Sequence, residues 1–259
     1  MAMLERRAFC AAAAAAGLLA GRSRADPVAA DVRVAAASDL KFALAELAAR
    51  YEHQTGQRVQ LNLGSSGNFA QQIRQGLPVD LFMSADEGFV FQLAEAGLTR
   101  DRGMLYAVGR IAAVVPAGSP IELDAQLRGL RAGWSSVTSF AMANPEHAPY
   151  GRAARQALQH LDLWDGVKTK LVLGENIAQT TQFVTSGAAQ AGITALSLAL
   201  APEVARAVRH VVLPATLHEP LRQRMVLLKG ASAQAAGFYR YVQEPDAKAV
   251  LSRHGFVFG

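Results

Sequence analysis

The sequence predicts an α/β protein with mostly parallel sheets, and three observations carry that prediction. From Val32 onward, apolar runs of strand length alternate with amphipathic stretches of helix length. Several of these runs end in turns bearing serine or glycine that open directly into the next helical stretch. The chain has 259 residues, 51% hydrophobic and 18% charged, which suits one large unit or two lobes of roughly 100 residues each.

Val32 to Ala37 reads as the first strand. Leu40, Ala43, Leu44, Leu47, Ala48 and Tyr51 then recur at helical spacing, so a helix begins just after Ser38-Asp39 and stops near Thr55-Gly56, where glycine suits a left-handed cap. Strand-like runs follow at 58–63, at Asp80 to Ser84 and across Leu105 to Val115, with a helix from about Glu87 to Ala96. Beyond Pro116 to Pro120, further strands are expected at Arg131 to Met142, Thr169 to Leu173 and Ala191 to Ala195. Gly151 to Leu161, Ile177 to Thr185 and Leu196 to Val208 read as helices that cover a second sheet. Arg224 to Lys229 looks like a last strand and Phe238 to His254 like terminal helices. There is no internal repeat and no low-complexity region after the N-terminal segment.

Residues 1–25 form an export signal: Arg6-Arg7-Ala8-Phe9 precedes the apolar run Cys10 to Ala20, and Ser23-Arg24-Ala25 is a small-x-small cleavage pattern. Cleavage is expected after Ala25 or Ala30. The paired arginines and the alanine-rich core resemble a twin-arginine signal. The apolar stretch is about half the roughly 20 residues that a membrane span needs. Cys10, the only cysteine, lies inside this segment, so the mature chain has no disulfide and no thiolate metal site. Arg6, Arg7, Arg22 and Arg24 against Glu5 carry +3 of the formal +5, leaving +2 after processing. The remaining basic residues are scattered, which argues against nucleic acid as a partner.

Four strand-to-helix turns carry the chemistry. Gly64-Ser65-Ser66-Gly67-Asn68 has two hydroxyls, two glycines and unpaired helix-start amides, with no lysine or arginine. That combination suits reversible capture of a small oxyanion better than phosphate transfer; its simplest reading is an ordinary helix cap. Ser38-Asp39 is a second such turn, and two of them at the carboxyl ends of strands can converge on one guest. The proline-stiffened loop Asn144 to Gly151 delivers Tyr150, a neutral donor, at a helix start. Gly174-Glu175-Asn176-Ile177 offers the Ile177 amide. The Asp39 carboxylate would repel a dianion in a dry cavity, so it is expected to face the helix amides or Lys41. Ser84 to Glu87 reads as a helix cap with acidic first-turn residues. No G-x-G-x-x-G, lysine-bearing phosphate loop, H-E-x-x-H or G-x-S-x-G motif is present, and the six histidines are dispersed.

Ala35 to Leu40, Gly64 to Asn68, Asp80 to Asp86, Asn144 to Gly151 and Gly174 to Ile177 resemble, in order, the motifs of the molybdate-binding proteins of bacterial ABC importers, and the resemblance runs from Val32 to Gly259. It implies two α/β lobes of the periplasmic-binding-protein type, each a mostly parallel sheet flanked by helices, with the ligand in the cleft between them. Residues 31–108 and 218–259 would form the first lobe and 109–217 the second. It implies a periplasmic, monomeric protein with no catalytic activity and no cofactor. The ligand would be molybdate or tungstate, and the partners a membrane permease and its ATPase. Carried over by position, Ser38 and Ser66 would supply hydroxyls and amides, Ile177 an amide, Tyr150 a phenol and Asp39 its backbone amide only. Their contacts would be to oxo groups, with no bond to molybdenum. Ala195 stands where some members place a tyrosine, which leaves Tyr150 as the phenol. Sulfate or phosphate is the alternative guest. An exported hydrolase with Ser38 or Ser66 as nucleophile and His147 as base is the remote alternative.

Overall fold

A computed structural model describes residues 31–258, and the expected export signal lies outside them. In the first part of the chain the elements are β1 (Val32–Ala37), α1 (Lys41–Thr55), β2 (Val59–Gly64), α2 (Ser66–Arg74), β3 (Leu81–Ser84), α3 (Glu87–Glu95) and β4 (Met104–Gly109). A second set follows: β5 (Ile111–Pro116), α4 (Arg128–Ala132), β6 (Phe140–Ala143), α5 (Pro149–His160), α6 (Trp164–Val167), β7 (Leu171–Gly174), α7 (Ile177–Thr185), β8 (Ala191–Ala195), α8 (Leu196–Ala199), α9 (Pro202–Ala205) and β9 (Val208–Val212). The chain then returns with β10 (Leu221–Leu227), α10 (Ala233–Tyr241) and α11 (Pro245–Arg253).

Two five-stranded sheets result, ordered β2-β1-β3-β10-β4 and β7-β6-β8-β5-β9. In each, four strands point the same way and one, β10 or β5, runs against its neighbours. The inner strand β1 is buried at every residue but Arg33, as expected where helices cover both faces. Edge strand β2 alternates between half-buried and exposed along most of its length. α1 ends at Gly56, whose φ of 70° is the left-handed cap that glycine adopts without strain.

Register places the turns. Ala37 pairs with Gly64 at the carboxyl ends of β1 and β2, and Ala36 pairs with Met83 on β3, so the turns starting at Ser38, Ser65 and Ala85 emerge side by side. In the second sheet Ala143 pairs with Gly174, which sets the Asn144 and Glu175 turns next to each other. A buried apolar cluster of the second sheet and its helices also takes in Ala37 and Ala85 of the first, so the two halves meet through packed side chains.

Three expected elements differ. The apolar run 105–115 is two strands in two sheets, separated by Arg110 alone; an eleven-residue strand is long against a usual length of about 5–6, and the break falls at Gly109-Arg110. The strand expected from Arg131 begins only at Phe140, because residues 128–132 form a short helix that stops at Gly133 and Trp134–Ser136 forms a 3-10 turn. The helix expected over 196–208 is two short helices split at Pro202, whose ring forces Ala201 into extended backbone. Val208–Val212, rich in β-branched residues, is a strand.

Candidate functional site

The four turns converge. Ser38, Asp39, Ser66, Tyr150 and Ile177 line one small cavity of about 10 Å³, together with Ser65 and the apolar Ala37, Gly64, Ala85, Ala148 and Pro149. No lysine, arginine or histidine lines it. A larger depression beside it, of about 690 Å³, is lined by Lys41, Glu175 and Glu203 among mostly neutral residues. Its mixed charge and width select no particular guest, so the smaller site, where neutral donors from four turns meet, is the better candidate.

Each side chain is placed by its local structure. Ser66 is the first residue of α2 and is 1% exposed. Its Oγ accepts from the Ala85 N–H at 3.0 Å, which leaves the hydroxyl proton for a guest. Ser38 opens a 3-10 turn, and its Oγ donates to Asn176 Oδ1 at 3.1 Å while accepting from the Ala178 N–H at 3.2 Å. Asn176 caps α7, accepting from the Ala178 and Gln179 amides and leaving the first amide, that of Ile177, outside the cap. Pro149 holds the first turn of α5, which fixes the buried Tyr150 at the floor of the cavity.

Asp39 turns away from the expected Lys41. Lys41 is exposed and lies over the Phe42 ring at 4.9 Å. The Asp39 carboxylate is 1% exposed and takes the donors that the interior offers: Tyr150 Oη at 2.9 Å and Gln223 Nε2 at 2.6 Å, both to Oδ2. Gln223 Nε2 also reaches Tyr150 Oη at 3.1 Å, and Tyr106 Oη donates to Gln223 Oε1 at 2.7 Å. Burial pushes the Asp39 carboxyl up from 3.8 to about 6, against the lowering effect of Gln223, Tyr150 and the Asp39 and Leu40 amides. Those amides favour the ion, as the helix-amide expectation had it, yet Oδ1 has no partner in hydrogen-bond geometry. Burial, with the Asp39 charge second, holds both Tyr150 and Tyr106 well above the ordinary phenol value.

Gln223 and Tyr106 were not among the residues singled out from sequence. Gln223 stands between Arg222 and Arg224, a polar stretch with no sign of burial, yet it is fully buried in β10 at the point where the register with β4 shifts. Gly109 is required beside it, since a Cβ there would sit 2.3 Å from Tyr150 Oη and 2.8 Å from Gln223 Nε2.

Across the junction the two sheets clasp. The Gly67 N–H donates to His147 O at 3.0 Å, Ser65 Oγ donates to the same oxygen at 2.6 Å, and Asn68 Nδ2 donates to Glu175 Oε1 at 2.7 Å. Ser197 Oγ donates to Asp39 O at 2.7 Å, and Arg152 pairs with Asp86, which also caps α3 through the Gly88 N–H. His147 Nδ1 lies 3.0 Å from Ser65 Oγ, but neither Ser38 nor Ser66 has a base beside it. Ala195 is buried and contributes no donor side chain. Among the described residues no group of three or more histidine, cysteine, aspartate or glutamate side chains is placed to hold a metal ion.

Residues 32–257 match the family model described as bacterial extracellular solute-binding protein. The chain is 35% identical over 244 residues to a molybdate-binding protein of Azotobacter vinelandii, covering 93% of this chain and 94% of that one. It is 32% identical over 230 residues to a molybdate-binding protein of Rhodobacter capsulatus, covering 88% of each. Among solved structures, the periplasmic molybdate-binding protein of Azotobacter vinelandii superposes with a TM-score of 0.81 at 29% identity, over 88% of this chain and all of that one. A sulfate-binding protein of Mycobacterium tuberculosis shares the fold, with a TM-score of 0.71 at 17% identity over 87% of this chain and 86% of that one.

Proposed function

The chain belongs to the family of bacterial extracellular solute-binding proteins, and on that premise we propose that it captures molybdate in the periplasm and delivers it to an ABC permease and its ATPase. It is a binding protein and not an enzyme. The observation that carries the reading is the convergence of Ser38, Ser66, Tyr150, Ile177 and Asp39 on one small cavity without a cationic side chain. A fully deprotonated oxyanion needs donors, and hydroxyls with helix-start amides supply them. The relatives named as molybdate-binding proteins, matched over most of their length, support the same guest.

Ser66 would donate its free hydroxyl proton and Ile177 its amide, while Ser38, whose proton lies on Asn176, would contribute by its backbone or by exchanging partners. Tungstate, of nearly the same size, would bind as well. Sulfate has shorter bonds, so donors set for the larger ion would leave it with stretched hydrogen bonds. Export and removal of the leading signal would place the mature protein, as a monomer, on the outer side of the inner membrane. Closing of the two lobes on the guest would be the state that the permease reads, because only differential binding can shift that equilibrium.

Calorimetric titration of the mature protein with molybdate, tungstate, sulfate and phosphate tests the assignment. Molybdate and tungstate are expected to bind with dissociation constants of about 1 µM or tighter, corresponding to roughly 8 kcal/mol or more. Absent molybdate binding, or sulfate or phosphate bound more tightly, would remove the assignment.

A further inference from the structure

Asp39 is the only charged side chain lining the cavity; the others are hydroxyls, one phenol and apolar groups. Its two oxygens are not equivalent. Oδ2 accepts from Tyr150 and Gln223, whereas Oδ1 is buried with no partner in hydrogen-bond geometry, and the nearby Asp39 and Leu40 amides that favour the ion are outweighed by burial. An ionised carboxylate has only lone pairs to offer, so against a dianion it opposes binding both by its charge and by lacking a proton. A proton on Oδ1 reverses both effects. It removes the charge and creates a donor, while Oδ2 keeps accepting from Tyr150 and Gln223 as the carbonyl oxygen of the acid.

We propose that Asp39 holds the oxyanion as a neutral carboxylic acid, its Oδ1–H donating to an oxo group, so that each molybdate bound carries one proton from solvent into the protein and returns it on release. This rests on the oxyanion reading above. The surroundings favour it. Tyr150 from α5 and Tyr106 from β4, the other titratable groups on this network, are held neutral by burial and by Asp39 itself. Gln223 from β10 and Ser197 from α8 carry no charge. His147 makes its contact with Ser65, at the rim. No lysine, arginine or histidine acts on the Asp39 carboxyl, which burial already holds at about 6, so little work is needed to protonate it near neutral pH.

The test is titration of the mature protein with sodium molybdate in buffers of differing ionisation enthalpy, where the slope of observed heat against buffer enthalpy counts protons. Uptake close to one proton per molybdate is expected at about pH 8, falling toward zero near pH 5, with apparent affinity dropping about tenfold per pH unit above the titration. Asp39→Asn should bind with no Asp39-linked uptake and with its affinity nearly level over the same range. Tight molybdate binding by the wild type without proton uptake, or uptake unchanged in D39N, would overturn the proposal and leave the molybdate assignment standing. Phosphate bound tightly in place of molybdate, without uptake, would mean that the guest brings the proton and would overturn both. The wild-type proton count decides the matter even if D39N fails to fold.

Discussion

Gly67 offers the most direct test of how the two halves close. A Cβ built on it would lie 2.6 Å from His147 O and 3.0 Å from His147 Cα. Both are backbone atoms, so no rotamer change relieves the contact, and the halves must part by some tenths of an ångström. The Gly67 φ is not in the left-handed region, so alanine fits the local backbone, and near the start of α2 it favours the helix by up to about 1 kcal/mol. Parting would cost the two bonds that meet at His147 O, from the Gly67 N–H and Ser65 Oγ. At about 0.5–1.5 kcal/mol net for each, Gly67→Ala should weaken closure by about 1–3 kcal/mol and lower molybdate affinity about 5- to 150-fold. The two effects have opposite signs. Thermal unfolding of the ligand-free variant should be unchanged or slightly raised while calorimetry shows the weaker binding. Wild-type affinity in G67A would refute the closed geometry at this contact, and a lowered unfolding temperature would refute the account of its cause.

Tyr150→Phe should lower oxyanion affinity by about 1–3 kcal/mol, because the phenol that anchors Asp39 Oδ2, and so aims its other oxygen, is lost, with circular dichroism showing an intact fold. Unchanged affinity would place Tyr150 outside the binding shell. For the ligand-free protein, Asp39 makes stability depend on pH. Its carboxyl is raised from 3.8 to about 6 in the native state, so the native state binds the proton more tightly than the unfolded chain. Stability is therefore full below the unfolded value and is lost as pH rises through about 6, reaching a cost of about 3 kcal/mol. D39N should accordingly gain on the wild type in urea unfolding above that range, with the gain shrinking toward pH 4; a difference constant across pH would refute the burial argument.

Much of the fold was legible because its signals are local. The spacing of Leu40, Leu44, Leu47 and Tyr51 with Gly56 at the end marks α1, and Asn176 before an amphipathic run marks α7, which spans Ile177–Thr185 as expected. The residues that line the candidate cavity were legible for the same reason, each sitting where a strand hands over to a helix. What escaped depends on distant partners. β10 enters between β3 and β4 from far along the chain, and nothing in its own seven residues states where it pairs. The direction of the Asp39 carboxylate depends on Gln223 and Tyr150, both more than a hundred positions away. β9 went unexpected and the preceding helix was carried on to Val208, because the break made by Pro202 was not weighed against the apolar run before it.

Arg110 alone links β4 to β5, and Gly109, just before it, packs against the Tyr150 hydroxyl and the Gln223 amide. The second crossing, over 213–220, begins with Leu213 bonded to Ile111 and ends with Leu221 paired to Gly109, so a swing between the halves would turn about both segments at this edge of the chamber. On such a lever the Asp39–Tyr150 contact travels least and the Asn68–Glu175 contact at the mouth travels most. An arriving ion would then meet the Tyr150 end already assembled, and the outer donors would reach it last, like a lid lowered onto a seated object.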